Sequence, residues 1–353
     1  MKKKYIIPVF VPHLGCPNDC TFCNQKKISG QLKQLSEEDV RKTIEYYLEN
    51  FGYNTVYKEI AFFGGSFTGI EEETQEMLLS IAYEYVKSKK VDGIRISTRP
   101  DYIDKKILKR LKKYKVKTIE LGVQSTNDYI LKMCKRGHTY SDVVKASKLI
   151  RRYGFNLGHQ MMIGLPESTE NDDIKTAKDL IKLKPKMVRI YPVLVIRGTE
   201  LEREYNNGNY EPLTVGQAVD RCKEIYNMFT KKHITVIRIG LQNTDTISSP
   251  DNDSSEVVAG PYHETFRQLV DSSICYDKIV EKIQKIGTRT KEIEIKVNPQ
   301  NVSNVVGYKK ENIDKLKEIY DLDVSIIQED KLPLDKIEVR SSKKYKEFID
   351  DAE

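Results

Sequence analysis

The stretch Cys16-Pro17-Asn18-Asp19-Cys20-Thr21-Phe22-Cys23 places three cysteines at the spacing C-x3-C-x2-C. Thiolates at this spacing can converge on a single metal centre from one short loop, and soft thiolate ligands favour iron–sulfur clusters or zinc. A [4Fe–4S] cluster usually takes four cysteines, so three would leave one iron open to bind and reduce another molecule. The spacing predicts a metal centre held by Cys16, Cys20 and Cys23 in an enzyme.

Zinc is the alternative metal for this loop. His13 stands three residues before Cys16 and could complete a tetrahedral Cys3His site. Zinc sites more often pair C-x2-C units, and the approach of His13 would be tight. A zinc-stabilised RNA-binding protein without catalysis therefore stays open as a second interpretation.

With Phe22 beside its last cysteine, the loop resembles the cluster loop of the radical S-adenosylmethionine (radical SAM) superfamily. The nearest resemblance is to the Elongator catalytic-subunit family and to oxygen-independent coproporphyrinogen III dehydrogenase. The resemblance implies a [4Fe–4S] cluster whose open iron chelates S-adenosylmethionine. It also implies an electron donor such as flavodoxin or ferredoxin, reductive cleavage to a 5′-deoxyadenosyl radical, and hydrogen abstraction from a substrate.

Bulk composition is that of an ordinary cytoplasmic enzyme. The chain has 353 residues, of which 39% are hydrophobic and 31% charged. No apolar run approaches the roughly 18 residues of a membrane span, so we expect no membrane partner. Six cysteines, three of them clustered, favour reduced metal-binding thiols over a disulfide frame. The net charge of +7 is compatible with an anionic partner.

Strand-like and helix-like segments alternate along the first half of the chain, which predicts an α/β fold with a parallel sheet. Six βα steps are fewer than a closed eightfold barrel needs, and the resemblance implies a partial (β/α)6 barrel. We expect this barrel and its extension to fill residues 1–285. The predicted strands are Tyr5–Val11, Glu59–Phe63, Gly93–Ser97, Thr118–Val123, Asn156–Ile163 and Met187–Val193; the predicted helices run from Ser36 to Asn50, Glu71 to Lys87, Tyr102 to Tyr114, Asn127 to Tyr153 and Glu170 to Leu183.

Short motifs follow several predicted strands, where active residues of parallel βα barrels sit. Phe63-Gly64-Gly65-Ser66-Phe67-Thr68 resembles the family turn that holds the amino group of S-adenosylmethionine, and Ser97-Thr98-Arg99-Pro100-Asp101 resembles its TRPD segment. The resemblance further implies that Gln124 contacts the cofactor's sugar and Arg136 its carboxylate. Gln160 stands where some relatives have an acidic cofactor contact. The implied cofactor-binding residues are Gly64, Gly65, Ser66, Thr68, Arg99, Gln124, Arg136 and Gln160.

Basic residues are concentrated between Lys87 and Lys117, with thirteen Lys or Arg against three acids. A solvated helix face would explain them, and a footprint for a phosphate backbone is the sharper hypothesis. Lys105, Lys109 and Lys113 lie on one predicted helix, whose Ile107, Leu108 and Leu111 would face the core.

The segment 286–353 resembles a KH domain, an RNA-binding α/β module. Its predicted order is strand Glu292–Val297, short helix Val302–Val306, a loop with Gly307, Lys309 and Lys310, helix Glu311–Tyr320 and strand Asp323–Gln328. Lys310 occupies the place of the second glycine of the KH loop, and the segment is not basic overall. RNA binding through Lys309 and Lys310 and a purely structural role both stay open.

The favoured hypothesis is a radical SAM enzyme that modifies an RNA base, with tRNA as the partner. A radical SAM enzyme acting on a small metabolite is the alternative within that class. There is no acetyl-coenzyme-A loop in the tail, so the full Elongator reaction does not follow. Cys134, Cys222 and Cys275 show no close ligand spacing and are expected to be ordinary buried thiols.

Overall fold

The computed structural model describes residues 4–11, 20–24, 35–51, 57–241, 246–286 and 291–342. These residues divide into two compact units, one holding the chain up to Ala218 together with Ile225–Glu264. The other consists of Val219–Glu224 and the chain from Thr265 onward. No helix of the described ranges is long and apolar enough to cross a membrane.

The first unit is built on a seven-stranded sheet in which every neighbouring pair of strands is parallel, in the order β1-β2-β3-β4-β5-β6-β8. Helices connect successive strands, which confirms the predicted partial α/β barrel. The strands are β1 (Lys4–Val11), β2 (Tyr57–Gly64), β3 (Gly93–Thr98), β4 (Val116–Gln124), β5 (Asn156–Ile163), β6 (Met187–Pro192) and β8 (Thr235–Ile239), and β7 (Val195–Ile196) pairs separately with β9 (Val257–Ala259). The helices are α1 (Glu37–Asn50), α2 (Glu72–Lys87), α3 (Lys105–Lys113), α4 (Asp128–Met133), α5 (Tyr140–Arg152), α6 (Glu170–Lys182), α7 (Glu200–Asn206) and α8 (Val215–Thr230).

Local sequence signals explain where these helices begin. Ser36 and Asp39 form the predicted capping box of α1, in which each side chain bonds the other residue's backbone N–H. The same box starts α5 at Thr139 and α6 at Thr169. The Asp104 side chain accepts from the Ile107 backbone and starts α3. That helix therefore begins later than the predicted Tyr102.

Two features of the first unit differ from the prediction. The seventh strand, β8, was not predicted; its Val236 and Ile239 are buried and its edge pairs with β6. The helix predicted from Asn127 to Tyr153 is instead two helices, because the chain turns at Lys135 and Gly137, both with positive φ. Thr139 then caps a new helix.

The second unit packs helices against a three-stranded sheet. Its elements are α9 (Phe266–Ile286), β10 (Glu292–Val297), α10 (Val302–Val306), α11 (Glu311–Tyr320), β11 (Asp323–Gln328) and β12 (Ile337–Ser341). The sheet order is β11-β10-β12, with β10 parallel to β11 and antiparallel to β12. The predicted elements from β10 to β11 have the expected bounds, and β12 is an additional strand.

Helix α9 lies in the second unit, although the boundary between 285 and 286 assigned it to the first domain. Its Cys275, Ile279 and Ile283 are buried against Ile293 and Ile295 of β10. Apolar burial of this kind stabilises by about 25 cal/mol per Å², so the apolar stripe of α9 accounts for its packing with this sheet.

Candidate functional site

The carboxyl ends of the parallel strands meet at one edge of the first unit's sheet. The motif residues Gly64, Arg99 and Gln124 end strands β2, β3 and β4 or directly follow them. The cysteine loop follows β1, so the chain brings it to the same edge. Cys20 and Cys23 are described, whereas Cys16 and His13 lie outside the described residues.

Backbone contacts fix the described part of the cysteine loop. The Cys23 N–H donates to the Cys20 carbonyl over 2.9 Å. The Thr21 N–H donates to the Cys134 carbonyl over 3.3 Å, and the Thr21 carbonyl accepts from the Leu201 N–H over 2.8 Å. Cys20 is buried, Cys23 is half-buried, and both pack in an apolar cluster that includes Phe22 and Leu165. The described residues contain no group of three or more His, Cys, Asp or Glu that could hold a metal ion. The metal centre predicted at Cys16, Cys20 and Cys23 therefore stays a prediction.

Cys134 lies beside this loop and is fully buried. Burial raises the pKa of its thiol to about 12, with opposing contributions from Thr21 and Arg136. Without a bound metal, the thiol therefore stays protonated near neutral pH. This agrees with its expected role as a buried structural thiol.

Arg136 connects the cysteine loop to strand β4. Its Nη1 lies 3.3 Å from Cys20 Sγ, and its Nη2 donates to the Gly122 carbonyl over 2.7 Å. Its Nε is buried and has no hydrogen-bond partner within the described chain. A buried guanidinium N–H without a partner is rare in folded proteins and suits an acceptor supplied by a ligand.

Gln124 also has an unpartnered buried atom, its Oε1; the described ranges hold others, among them Thr21 Oγ1 in the cysteine loop and His138 Nδ1. A register shift between Gly122 and Gln124 and a φ of +68° at Gln124 distort the end of β4. Strand irregularities of this kind re-aim side chains near functional sites. A Cβ on Gly122 would lie 3.1 Å from Gln124 Nε2 and 3.4 Å from Arg136 Nη2, so glycine leaves room for both.

Gly64 brings the ends of β1 and β2 close together. Its φ is +105°, and a Cβ there would lie 2.5 Å from the Val11 carbonyl oxygen, so only glycine fits. Gly65 follows half-exposed, and Ser66 is buried without a capping hydrogen bond. This turn leaves backbone open to a ligand at the strand ends.

Thr68 and Arg99 form hydrogen bonds to segments that lie next to the site. Thr68 Oγ1 donates to the Tyr102 carbonyl over 2.7 Å and lies 2.6 Å from Thr98 Oγ1. Arg99 binds both carboxylate oxygens of Asp101 over 3.0 Å and donates to the Arg136 carbonyl. These bonds hold Arg136 in place; direct cofactor contact by Thr68 and Arg99 stays a prediction.

A cavity of about 1480 Å³ opens inside the barrel. Cys23, Gly64, Gln124 and Gln160 all line it, so four of the predicted site residues face one space. The wall also carries Phe22, Met162 and Leu194. The lining also includes many polar and basic side chains, among them Arg95, Arg189, Lys184, Lys186 and Lys232. A concave space of this size can hold a small molecule.

An unpredicted charge network forms the polar part of this wall. Glu120 accepts from Arg95 over 2.6 Å, from Arg189 over 2.6 and 3.1 Å, and from Gln160 over 3.0 Å; Arg95 also binds Glu59. Burial alone would raise the pKa of Glu120, but the arginines override it and hold the pKa at about 2. The sequence signal that could have predicted this network is a charged residue, Arg95, Glu120 or Arg189, inside each of the otherwise apolar strands β3, β4 and β6.

The basic helix α3 places the predicted RNA contacts on its outer side. Leu108 and Leu111 are buried, whereas Lys105, Lys109 and Lys113 are exposed. Of its other cations, Lys106 and Arg110 pair with Glu72, and Lys112 donates to the Tyr153 carbonyl over 3.3 Å.

The loop of the second unit presents Lys309 and Lys310, both exposed and both in left-handed conformation. Gly307 begins this loop with a φ of +84°, and a Cβ there would lie 2.8 Å from the Asn312 backbone nitrogen. The Asn312 side chain donates to the carbonyls of Ser272, Asn304 and Val305 over 3.0–3.2 Å. The loop is therefore anchored at its base while its lysines face solvent.

Comparison with known proteins matches residues 10–180 to the radical SAM superfamily and residues 185–275 to the radical SAM C-terminal domain. A tRNA uridine(34) acetyltransferase of Methanocaldococcus infernus is 32% identical over 193 residues, which cover 49% of this chain and 36% of that protein. Human Elongator complex protein 3 is 29% identical over 198 residues, covering 50% and 36%. The matched segment of this chain thus spans only about a third of the length of these relatives.

Among solved structures, the archaeal Methanocaldococcus infernus Elp3 with an N-terminal deletion superposes with a TM-score of 0.61 at 25% identity. That match covers 80% of this chain and 64% of the other. The shared fold therefore extends beyond the sequence match.

Proposed function

Because the chain belongs to the radical SAM superfamily, we propose that it cleaves S-adenosylmethionine reductively and uses the resulting radical to modify an RNA base. The observation that carries the proposal is the meeting of Cys20, Cys23, Arg136 and Gln124 at one strand edge. Two buried polar atoms there, Arg136 Nε and Gln124 Oε1, lack partners among the described residues. A polar ligand at this edge would satisfy both.

The donor set fits a [4Fe–4S] cluster held by Cys16, Cys20 and Cys23. When bound, the cluster supplies the single electron that splits S-adenosylmethionine into methionine and a 5′-deoxyadenosyl radical. The Arg136 guanidinium, 3.3 Å from Cys20 Sγ, would donate a hydrogen bond to that sulfur and fix its position. An electron donor such as flavodoxin or ferredoxin would serve this site in the cytoplasm.

Residues of the cavity would orient S-adenosylmethionine. We assign the amino group to the Gly64-Gly65-Ser66 turn, whose glycines allow close backbone approach. The carboxylate is assigned to Arg136, because a guanidinium fork suits two oxygens. Gln124 would accept from the sugar hydroxyls, and Gln160, held by Glu120, would present its amide beside them.

Buried surroundings would protect the radical. Phe22, Met162 and Leu194 line the cavity and would keep water from the reacting atoms. Glu120 and its partners would hold the polar wall rigid. Every hydrogen bond that the Glu120 carboxylate accepts comes from a guanidinium or an amide group.

RNA is proposed as the substrate because the relatives include a tRNA uridine(34) acetyltransferase. The exposed lysines Lys105, Lys109 and Lys113 on α3 and Lys309 and Lys310 in the second unit would contact phosphates. The chain spans too little of those relatives for their complete reaction to be assigned.

Anaerobic purification followed by iron, sulfide and zinc analysis tests the proposal, together with an assay for 5′-deoxyadenosine after addition of dithionite and S-adenosylmethionine. We expect about four irons per chain, as a [4Fe–4S] cluster requires, and formation of 5′-deoxyadenosine. Stoichiometric zinc, no iron after reconstitution and no cleavage would refute radical chemistry and favour the zinc-stabilised alternative.

A further inference from the structure

The amino ends of the parallel strands form the edge of the sheet opposite the cysteine loop. Five turns lead there from a helix into the next strand: residues 88–92, 114–115, 153–155, 183–186 and 231–234. These turns are fully described and contain seven lysines, whereas Asp92 is their one carboxylate. The side chains of these turns therefore carry mostly positive charge.

Four of these turns have the same backbone. The residue directly after the helix cap is left-handed in each, with φ of 59° at Lys89, 58° at Lys115, 83° at Gly154 and 53° at Lys184. Each N–H donates back to the carbonyl three residues earlier over 3.0–3.1 Å. Glycine is the favoured residue here, and a residue with a Cβ costs about 1 kcal/mol or more. Three turns nevertheless carry lysine.

Helix dipoles account for only part of this charge. Cations in the last turn of a helix are stabilised by about 0.3–1 kcal/mol. Lys117 and Lys186, however, lie at the start of strands, beyond the reach of a helix end. Lys90, which pairs with Glu45 over 3.2 Å, and Lys231 are also exposed at this edge. We define the amino-end rim by the other six exposed lysines, which are Lys89, Lys115, Lys117, Lys184, Lys186 and Lys232.

The rim charges are not neutralised within the protein. None of the six lysines forms an ion pair with a carboxylate in the described part of the chain. The six lysines lie at the strands from β3 to β8, which are five neighbours in the sheet, and four spacings of about 4.8 Å give the rim a length of about 19 Å. Like charges over such a length repel one another and raise the local concentration of anions.

We propose that the amino-end rim binds the phosphate backbone of the RNA whose base is modified at the opposite edge. This inference rests on the proposed RNA substrate and adds the surface that holds the RNA body. Phosphate contacts position a nucleic acid without reading its sequence, which suits lysine because it is a flexible point charge.

Helix α3 connects the rim to the site. It begins after Arg99-Pro100-Asp101 at the carboxyl edge and ends beside Lys115 at the rim, a length of about 13 Å at about 1.5 Å per residue. Lys105, Lys109 and Lys113 are exposed along it. The lysines therefore form a basic track from the edge of the site to the rim.

The test replaces three rim lysines by glycine: Lys89→Gly, Lys115→Gly and Lys184→Gly in one chain. Because Gly154 occupies the equivalent position in the fourth turn, we expect this variant to fold and to gain stability. A control with the same loss of charge carries Lys42→Gln, Lys175→Gln and Lys278→Gln on exposed helix positions. Binding of bulk tRNA is measured for each protein at several salt concentrations.

Loss of three phosphate contacts should weaken tRNA binding about tenfold to a hundredfold near 0.1 M salt and reduce the log–log salt slope by about 2–3. The control should bind within about twofold of the unchanged protein. Equal binding of tRNA by the rim variant and the control would refute the proposal that the rim binds RNA. Binding of the unchanged protein to phosphatidylserine vesicles but not to tRNA would overturn the RNA assignment.

Formation of 5′-deoxyadenosine without RNA separates this inference from the proposed function. If the unchanged protein forms 5′-deoxyadenosine but its RNA binding does not depend on the rim lysines, only the proposal about the rim is refuted. Rim-dependent RNA binding without cleavage or iron would support the rim and refute the radical chemistry.

Discussion

Replacing Glu120 by glutamine tests how the cavity wall is held together. Glu120 is 1% exposed and accepts bonds from Arg95, Arg189 and Gln160. The variant keeps the shape but leaves two buried guanidiniums without their shared counter-charge. Breaking a buried pair in this way costs about 3–5 kcal/mol.

The pKa gives a second measure of the same loss. Burial opposes ionisation of Glu120, but Arg189 and Arg95 lower its pKa from 4.5 to about 2 in the folded state. That difference corresponds to about 3 kcal/mol. Because the folded pKa lies below the unfolded one, the stabilisation is complete above about pH 5 and falls as the pH approaches 2. About half should remain near pH 3.

Urea unfolding followed by circular dichroism at pH 7 and pH 3 measures both effects. We expect Glu120→Gln to lower the free energy of unfolding by about 3 kcal/mol at pH 7 and by roughly half as much at pH 3. The matched control is Glu38→Gln, in an exposed pair with Lys42, which should cost under about 1 kcal/mol. A loss at Glu120 no larger than at Glu38, or one that does not shrink at pH 3, would refute this reasoning.

Three further variants test the site. Cys23→Ala should abolish iron binding and 5′-deoxyadenosine formation, while Cys222→Ala should retain the iron measured by metal analysis; normal cleavage by the Cys23 variant would exclude it as a ligand. Arg136→Gln should retain iron but weaken S-adenosylmethionine binding about tenfold to a hundredfold in anaerobic calorimetry, since a charged hydrogen bond contributes about 1.5–3 kcal/mol; unchanged affinity would remove that role. Gly64→Ala should destabilise by at least about 2 kcal/mol more than Gly154→Ala in thermal unfolding, because both have positive φ but a Cβ meets the Val11 carbonyl only at Gly64; equal losses would contradict the close approach.

The order of elements could be predicted because the sequence signals are local. Alternating apolar runs and caps such as Ser36 with Asp39 depend on residues a few positions apart. Strands β8 and β12 were missed because they are short and their burial depends on neighbours distant in sequence. The helix break near Gly137 likewise needed the positive φ of the folded chain.

The motif residues of the site could also be named in advance, but their contacts could not. Arg136 was expected to bind a carboxylate, and the folded chain adds its contact with Cys20 Sγ. Thr68 and Arg99 were expected to touch the cofactor, yet their described bonds brace neighbouring segments. The resemblance supplied the residue types at strand ends, and side-chain partners follow only from packing.

The sequence alone determined the radical SAM assignment, the parallel α/β order and the edge where the cysteines meet the strand ends. The parallel order follows from the periodicity of the chain, whereas the radical SAM assignment follows from the resemblance of the cysteine loop and the strand-end motifs to that family. Only the tertiary structure decided the Glu120 network, the buried atoms of Arg136 and Gln124 that have no partner among the described residues, and the amino-end rim. Each of these joins residues from strands or turns far apart in sequence, and charges at such distances interact only after the sheet has brought them together.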